Sequence, residues 1–119
     1  MHKRAVGSFA EAKAAEFLMQ KGFEIVEQNF HARWSEIDII ARDKESGEIV
    51  FCEVKSVRAE RAEEIYLTLS DQKRKRLEIA VQRWLFTNHK QEAKHRLDFI
   101  GIVWDENSQV LDIKHFEHI

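Results

Sequence analysis

The sequence predicts an α/β fold in which helices cover a central mixed β-sheet, with the element order αβββαββ. Two observations carry this prediction. Apolar residues recur at helical spacing in two segments, whereas segments such as Ile49-Val50-Phe51-Cys52 are apolar without a break, which is typical of strands buried on both faces. With 119 residues and 44% hydrophobic residues, the chain is expected to form a single domain, residues 1–119, around a substantial core.

The first four elements are predicted to be one helix and three strands. The helix extends from about Val6 to Lys21 and stops at Gly22. Its apolar stripe consists of Val6, Ala10, Ala14, Phe17 and Leu18. The strands are Phe23 to Phe30, Glu36 to Ala41 and Ile49 to Val57. The turn-forming residues 43–47 make the last two strands hairpin partners.

The remaining elements are a second helix and two closing strands. Ser70 is a favourable N-cap, and the helix is expected to continue to about Asn88, with the basic run Lys73 to Arg76 in its first turns. The strands Leu97 to Trp104 and Val110 to Phe116 follow, joined by a turn at residues 105–108.

Composition excludes several classes of protein. No apolar run approaches the roughly 18 residues that cross a bilayer, and the basic N-terminus lacks the apolar stretch of a signal peptide. The only cysteine, Cys52, excludes an internal disulfide and a multi-cysteine zinc site, so we expect an inert core thiol in a cytoplasmic protein. The six histidines lack ligand spacing and are expected at the surface or its border.

Two predicted strands carry charges where a buried sheet should avoid them. Asp38 lies between two isoleucines, and Glu53 and Lys55 interrupt an apolar strand. Because strand side chains alternate and the hairpin pairs these strands, the two carboxylates and the ammonium would meet on one side of the sheet. Half-buried carboxylates repel each other and lose hydration, and a hard divalent cation such as Mg²⁺ would neutralise them. The alternative is a structural salt bridge of Asp38 or Glu53 with Lys55.

Two further carboxylates are expected near this cluster. At ~100° per residue, Glu11 lies on or beside the helix face that packs on the sheet, where it is either a border residue or another metal ligand. Glu36 shares the face of Asp38 and is either a reserve ligand or an exposed residue at the strand end.

Basic residues offer a candidate surface for phosphate. A basic run such as residues 73–76 is most often a solvated helix face, and phosphate binding at the start of the second helix is the alternative. The residues that would take part are Gln72, Lys73, Arg74 and Arg76. In the loop before the second strand, Arg33 and Asn29 either contact nucleic acid or are merely exposed, and Trp34 either stacks on a base or packs.

These residues are also the ones that resemble a known family. Asp38 followed by Glu53-Val54-Lys55 is similar to the bipartite PD-(D/E)XK signature of restriction-endonuclease-like nucleases, with Ile37 where the signature has proline. Over nearly its whole length the chain resembles the bacterial YraN-like family, which is uncharacterised, although Ser35 stands where that family usually has glycine. The matching segments are Gly7, Glu11, Ala14 and Leu18, then Gly22 to Val26, Asn29, Arg33, Ser35 to Ile40, Phe51 to Lys55, Lys73, Leu77 and Arg96 to Phe99. The arrangement is also similar to archaeal Holliday junction resolvases.

The resemblance implies a restriction-endonuclease-like fold and a metal-dependent nuclease. In this hypothesis Asp38, Glu53 and Glu11 hold Mg²⁺ or Mn²⁺, with the backbone carbonyl of Val54 as a further ligand, and Lys55 orients or helps deprotonate the attacking water. The substrate would be DNA, including branched or recombination and repair DNA. The alternative is a nucleic-acid-binding module that retains the site but does not cut. Resolvase-like proteins are often dimers, so a homodimer is expected by analogy alone.

Overall fold

A computed structural model describes the backbone from residue 3 to residue 119 and the side chains from residue 7 onward. The elements are α1 (Lys3–Gln20), β1 (Phe23–Ala32), β2 (Ser35–Asp43), β3 (Ile49–Arg58), a 3-10 segment (Ala59–Thr68), α2 (Asp71–Thr87), β4 (His95–Trp104) and β5 (Val110–Phe116). The predicted helices and strands are therefore all found, with ends that differ by a few residues. The predicted packing of Val6 lies outside the described side chains.

The five strands form one sheet in the order β1-β2-β3-β4-β5. β3 and β4 are parallel and the other neighbours are antiparallel, so the predicted mixed sheet is confirmed. The 3-10 segment and α2 together form the long crossover that a parallel pair of strands requires. The predicted hairpin of β2 and β3 is also confirmed, with Arg42 opposite Ile49 and Ile39 opposite Cys52.

Helices cover both faces of the sheet, as predicted. One cluster of buried residues joins α2 to the sheet and includes Leu77, Trp84, Phe51 and Phe99. The other joins α1 to the opposite face and includes small residues of the helix such as Ala14, which is fully buried. Cys52 belongs to this second cluster and is fully buried, and burial raises the pKa of its thiol, as expected for an inert core cysteine.

Local capping fixes where α2 begins. The Ser70 side chain accepts a hydrogen bond from the Lys73 backbone N–H at 3.1 Å, so Ser70 is the N-cap that the sequence predicts. The C-cap is Asn88, whose side chain donates to the Trp84 carbonyl at 2.9 Å. The first turns of α2, which begin at the Ser70 cap and carry the basic run, lie against β3, where Lys73 contacts Glu53 at 3.3 Å.

The strands β2 and β3 separate beyond their last paired residues, Ile39 and Cys52. Ile37 packs with the α2-side cluster and Ile39 with the α1-side cluster, although regular alternation would place both on one face. The chain therefore departs from strict alternation around Asp38. At the gap, the Asp38 carboxylate accepts a hydrogen bond from the Val54 N–H at 2.7 Å, so a side chain replaces the missing backbone partner.

The 3-10 segment before α2 was not predicted from the sequence. Its single buried residue, Ile65, packs over Gly101 of β4, where a Cβ atom would lie 2.5 Å from Ile65 Cδ1. A glycine in the middle of a central strand thus makes room for this segment. Among the described helices, none is long and apolar enough to cross a membrane.

Candidate functional site

A cavity of about 600 Å³ opens where β2 and β3 separate. We call it the acidic cavity. Its charged lining residues are Glu11, Glu36, Asp38, Glu53, Lys55, Lys73 and Arg76, and Trp34, Ser35 and Val54 also line it. Asp38, Glu53 and Lys55, which were expected to meet, all line this cavity. Glu11 of α1 and Lys73 of α2 line it as well, although the two helices pack on opposite faces of the sheet.

Three of the carboxylates form a compact group. One oxygen each from Glu11, Glu36 and Asp38 lies within 4.8 Å of the other two. Asn29 connects this group from β1: with its amide nitrogen facing the carboxylates, it donates to Glu36 at 2.8 Å and to Glu11 at 3.2 Å. Asn29 has a φ of 56°, a left-handed conformation that asparagine tolerates better than most residues. From the sequence, Asn29 was expected only to contact nucleic acid or to be exposed, and Glu36 was a reserve ligand or an exposed residue.

Glu53 lies beside this group in a more buried position. Its side chain is 5% exposed, and its carboxylate is 3.3 Å from the Lys73 ammonium. Burial and the neighbouring Asp38 carboxylate raise the pKa of Glu53 to about 8, while the charges of Lys73 and Lys55 oppose this rise. Asp38 therefore connects two sets of carboxylates, Glu53 on one side and Glu11 with Glu36 on the other.

Glu11 has a similar electrostatic environment. Partial burial, followed by the charge and hydrogen bonding of Asp38 and the charge of Glu36, raises the pKa of Glu11 to about 7. Two carboxyl groups in one cavity thus hold their protons close to neutral pH. Crowded, partly buried carboxyl groups are expected to behave in this way.

Two lysines, Lys55 and Lys73, also line the cavity. Lys55 is half-buried, and burial together with the nearby ammonium of Lys73 lowers its pKa. Lys73 is paired with Glu53, whereas Lys55 forms no salt bridge among the described residues. A lysine in this state can orient a water molecule and exchange a proton with it.

Not every predicted nucleic-acid-binding residue faces the acidic cavity. Lys73 and Arg76 line it, whereas Gln72 and Arg74 do not. Gln72 is exposed, and Arg74 pairs with Asp71 at 3.3 Å. Arg33 lines a neighbouring groove instead.

A second buried polar cluster lies elsewhere in the sheet and was not predicted. Asp98 is fully buried in β4 and accepts hydrogen bonds from Arg96 at 3.0 Å and from the His118 N–H at 3.1 Å. His115, expected at the surface or its border, has a side chain only 4% exposed and lies 2.7 Å from Asp98. The signal was available, because Asp98 interrupts an apolar strand as Asp38 does. These contacts attach the chain after β5 to β4.

Carboxylate oxygens of this number and spacing suit a hard divalent cation. The raised pKa values of Glu11 and Glu53 agree with this, since a bound cation would offset the burial and the repulsion that raise them. The carboxylate oxygens of the acidic cavity therefore fit such an ion, and the positive charges of the neighbouring lysines suit an anionic substrate.

Comparison with known proteins gives close relatives in bacteria. The chain is 38% identical to a UPF0102 protein of Caldicellulosiruptor saccharolyticus, across 95% of this chain and 94% of that protein. It is 32% identical to a UPF0102 protein of Trichlorobacter lovleyi, across 89% of this chain and 83% of that protein.

Among solved structures, the chain has a limited similarity to the crystal structure of a repair endonuclease from Pyrococcus abyssi. The TM-score is 0.38 at 18% identity, over 80% of this chain and 37% of that chain. Another match is Pyrococcus furiosus SfsA in complex with Ca²⁺, with a TM-score of 0.34 at 16% identity, over 96% of this chain and 63% of that chain.

The sequence model of one protein family matches residues 10–102 of this chain, a range that includes every residue of the acidic cavity named above. The resemblance predicted from the sequence is thereby confirmed: the chain belongs to the uncharacterised protein family UPF0102, the YraN family.

Proposed function

We propose that this protein is a metal-dependent DNA endonuclease of the restriction-endonuclease-like type. The observation that carries the proposal is the convergence of four carboxylates and two lysines in one cavity at the separated ends of β2 and β3. A purely structural salt bridge would not need four acidic groups, two of which retain protons near neutral pH.

In the proposed site, Asp38, Glu53 and Glu11 hold Mg²⁺ or Mn²⁺, with the Val54 carbonyl as a further ligand. Glu36 becomes a stronger candidate than the sequence indicated, because it lies within 4.8 Å of Glu11 and Asp38. When bound, the cation would lower the pKa of a coordinated water and polarise a phosphoryl oxygen.

The chain's own residues supply the remaining functions. The Val54 N–H fixes the Asp38 carboxylate by a hydrogen bond of 2.7 Å. Lys73, through its contact with Glu53, holds that carboxylate in place. Lys55, with its lowered pKa, orients the attacking water at its Nζ atom and accepts or returns a proton. Arg76, at the wall nearest α2, contacts the DNA backbone and positions the phosphodiester.

The proposal is tested by incubating the protein with Mn²⁺ or Mg²⁺ and a panel of branched, flap, single-stranded and duplex DNA. We expect cleavage of at least one branched or flap substrate, which EDTA abolishes. Asp38→Asn keeps an oxygen that can accept from the Val54 N–H, so it removes the charge with little damage to the fold. We expect Asp38→Asn and Lys55→Met each to lower the cleavage rate by about a hundredfold or more.

Lys75→Ala is the matched control, because Lys75 is an exposed lysine of α2 that lies outside the acidic cavity. Its cleavage rate should stay within about twofold of the unchanged protein. Cleavage that persists in Lys55→Met would contradict the assigned mechanism. If no substrate is cut but DNA is bound, the protein is instead the non-cleaving binding module.

A further inference from the structure

A second groove, of about 520 Å³, adjoins the acidic cavity. We call it the arginine groove. Its lining residues are Ala32, Arg33, Trp34, Ser35, Arg76, Ile79 and Arg83. Trp34, Ser35 and Arg76 line both the groove and the acidic cavity, so the two spaces are immediate neighbours.

The charge of this groove is of one sign. Three arginines line it, and no acidic residue does so among the described residues. None of the three arginines forms a salt bridge with any described residue. This contrasts with Arg42, Arg58, Arg61, Arg74 and Arg96, which are all paired with a carboxylate. Guanidinium groups that line a groove and have no carboxylate partner are suited to bind phosphate groups.

The groove also exposes a large aromatic surface. Trp34 is 73% exposed, and the Arg33 guanidinium carbon lies 5.1 Å from the centre of its ring. This cation–π contact holds the indole ring at the groove wall. Ile79, which is 60% exposed, adds an apolar surface across the groove on α2. A flat ring beside several cations is the combination that binds unpaired bases of a nucleic acid by stacking.

From these contacts we infer that the arginine groove binds an unpaired, single-stranded DNA segment that continues into the acidic cavity. The bases of a duplex are stacked on each other, so only an unpaired or extruded base can offer its face to Trp34. This inference rests on the proposed function, and it specifies the substrate: DNA in which single-stranded nucleotides adjoin the phosphodiester to be cut. The groove volume lies within the range of roughly 300–1,000 Å³ of pockets that enclose small ligands, enough for a nucleotide.

The inference is tested by binding in EDTA, so that cleavage plays no part. Fluorescence anisotropy compares a blunt DNA duplex with the same duplex carrying a single-stranded arm. We expect the arm to increase affinity, and Trp34→Ala to weaken binding of the armed duplex by about tenfold while leaving the blunt duplex within about twofold. Trp34→Phe, which keeps a ring, should retain most of the affinity. Intrinsic fluorescence of Trp34 should be quenched by the arm.

Phe86→Ala is the matched control, because Phe86 is an α2 aromatic residue that is 69% exposed and lies outside the groove. It should not alter binding of either DNA. Arg83→Gln should weaken binding of the armed duplex and reduce the salt dependence of its affinity by about one counterion.

Equal losses for armed and blunt duplexes in Trp34→Ala, or no loss at all, would overturn the inference, as would an equal effect of Phe86→Ala. Tighter binding of an RNA arm than of the DNA arm would overturn the assignment to DNA. Cleavage assays on the same oligonucleotides separate this inference from the proposed function. Cutting without any preference for the arm refutes the groove alone, whereas arm binding without cutting refutes the endonuclease alone.

Discussion

Replacing Glu53 by glutamine should stabilise the metal-free protein, and the gain should depend on pH. The folded protein raises the pKa of Glu53 from 4.5 to about 8. A carboxyl group with a raised pKa binds its proton more tightly in the folded than in the unfolded chain. Its stabilising contribution is therefore complete below about pH 4.5 and is lost as the pH rises towards 8.

The size of the effect follows from this shift. Ionising Glu53 at pH 8 costs about 4 kcal/mol of folding free energy if the shift is fully expressed. Water that enters the cavity, and a closer approach of Lys73, reduce this cost to about 2 kcal/mol. Glutamine fills nearly the same volume and carries no charge, so Glu53→Gln should raise the free energy of unfolding by about 2–4 kcal/mol at pH 8. At pH 5, where the folded protein keeps the proton, the gain should be below about 1 kcal/mol.

Urea unfolding in EDTA at the two pH values measures this difference. Glu24→Gln is the control, because Glu24 is a half-exposed carboxylate of β1 that pairs with Arg42 at 2.8 Å. It should change stability by less than about 0.5 kcal/mol at either pH. A gain for Glu53→Gln that is the same at pH 5 and pH 8 would refute the reasoning, because the burial of a charge would then not be its cause.

Three other predictions concern the site and the sheet around it. Mn²⁺ must displace the protons of Glu53 and Glu11, so its affinity should rise between pH 6 and pH 8 by up to about tenfold per pH unit for each proton released. Calorimetry in buffers of different ionisation enthalpy counts the protons that are released. A Mn²⁺ affinity that does not change with pH would exclude this displacement. Asn29→Ala should be about 1 kcal/mol less stable than Asn29→Gly, because alanine resists the left-handed backbone that glycine adopts freely. Both should lose stability relative to asparagine in thermal unfolding, since neither joins the carboxylates, and an unchanged Asn29→Gly would argue against that role. Gly101→Ala should cost about 1–3 kcal/mol, because its Cβ would contact Ile65 Cδ1. Ile65→Val removes that atom, so a double-mutant cycle should show a smaller combined loss than the sum of the single losses.

The fold was predictable where local chemistry determines an element. The Ser70 cap defines the start of α2, and alternation between turn residues and apolar residues predicts β5 at the residues observed, Val110–Phe116. The segment Ala59–Thr68 was missed because it is rich in charged residues and buries only one side chain, Ile65. Ile65 is ordered by packing on Gly101, a contact with a distant strand that no local pattern reveals.

The site was predictable to the extent that it depends on strand pairing. Charges in buried strands led to Asp38, Glu53 and Lys55, and the structure brings all three to one cavity. The positions of Glu36 and Asn29 were less accessible to sequence reasoning. They follow from the loss of alternation around Asp38 and from a left-handed residue in β1, which depend on how the strands pack in three dimensions. The roles of these residues in chemistry stay predictions.

The hydrogen bond from the Val54 N–H to the Asp38 carboxylate has a consequence for the history of this family. Asp38 completes the edge of a strand and also presents negative charge to the cavity, so its loss would harm folding as well as chemistry. Selection for a folded protein alone would therefore preserve an aspartate or an asparagine here, even in a relative without the proposed catalysis. Among the described residues, the Lys55 side chain forms no comparable hydrogen bond with the backbone. Across related bacteria, loss of the lysine with retention of a side-chain acceptor at position 38 would be the expected sign of a member without the proposed catalysis.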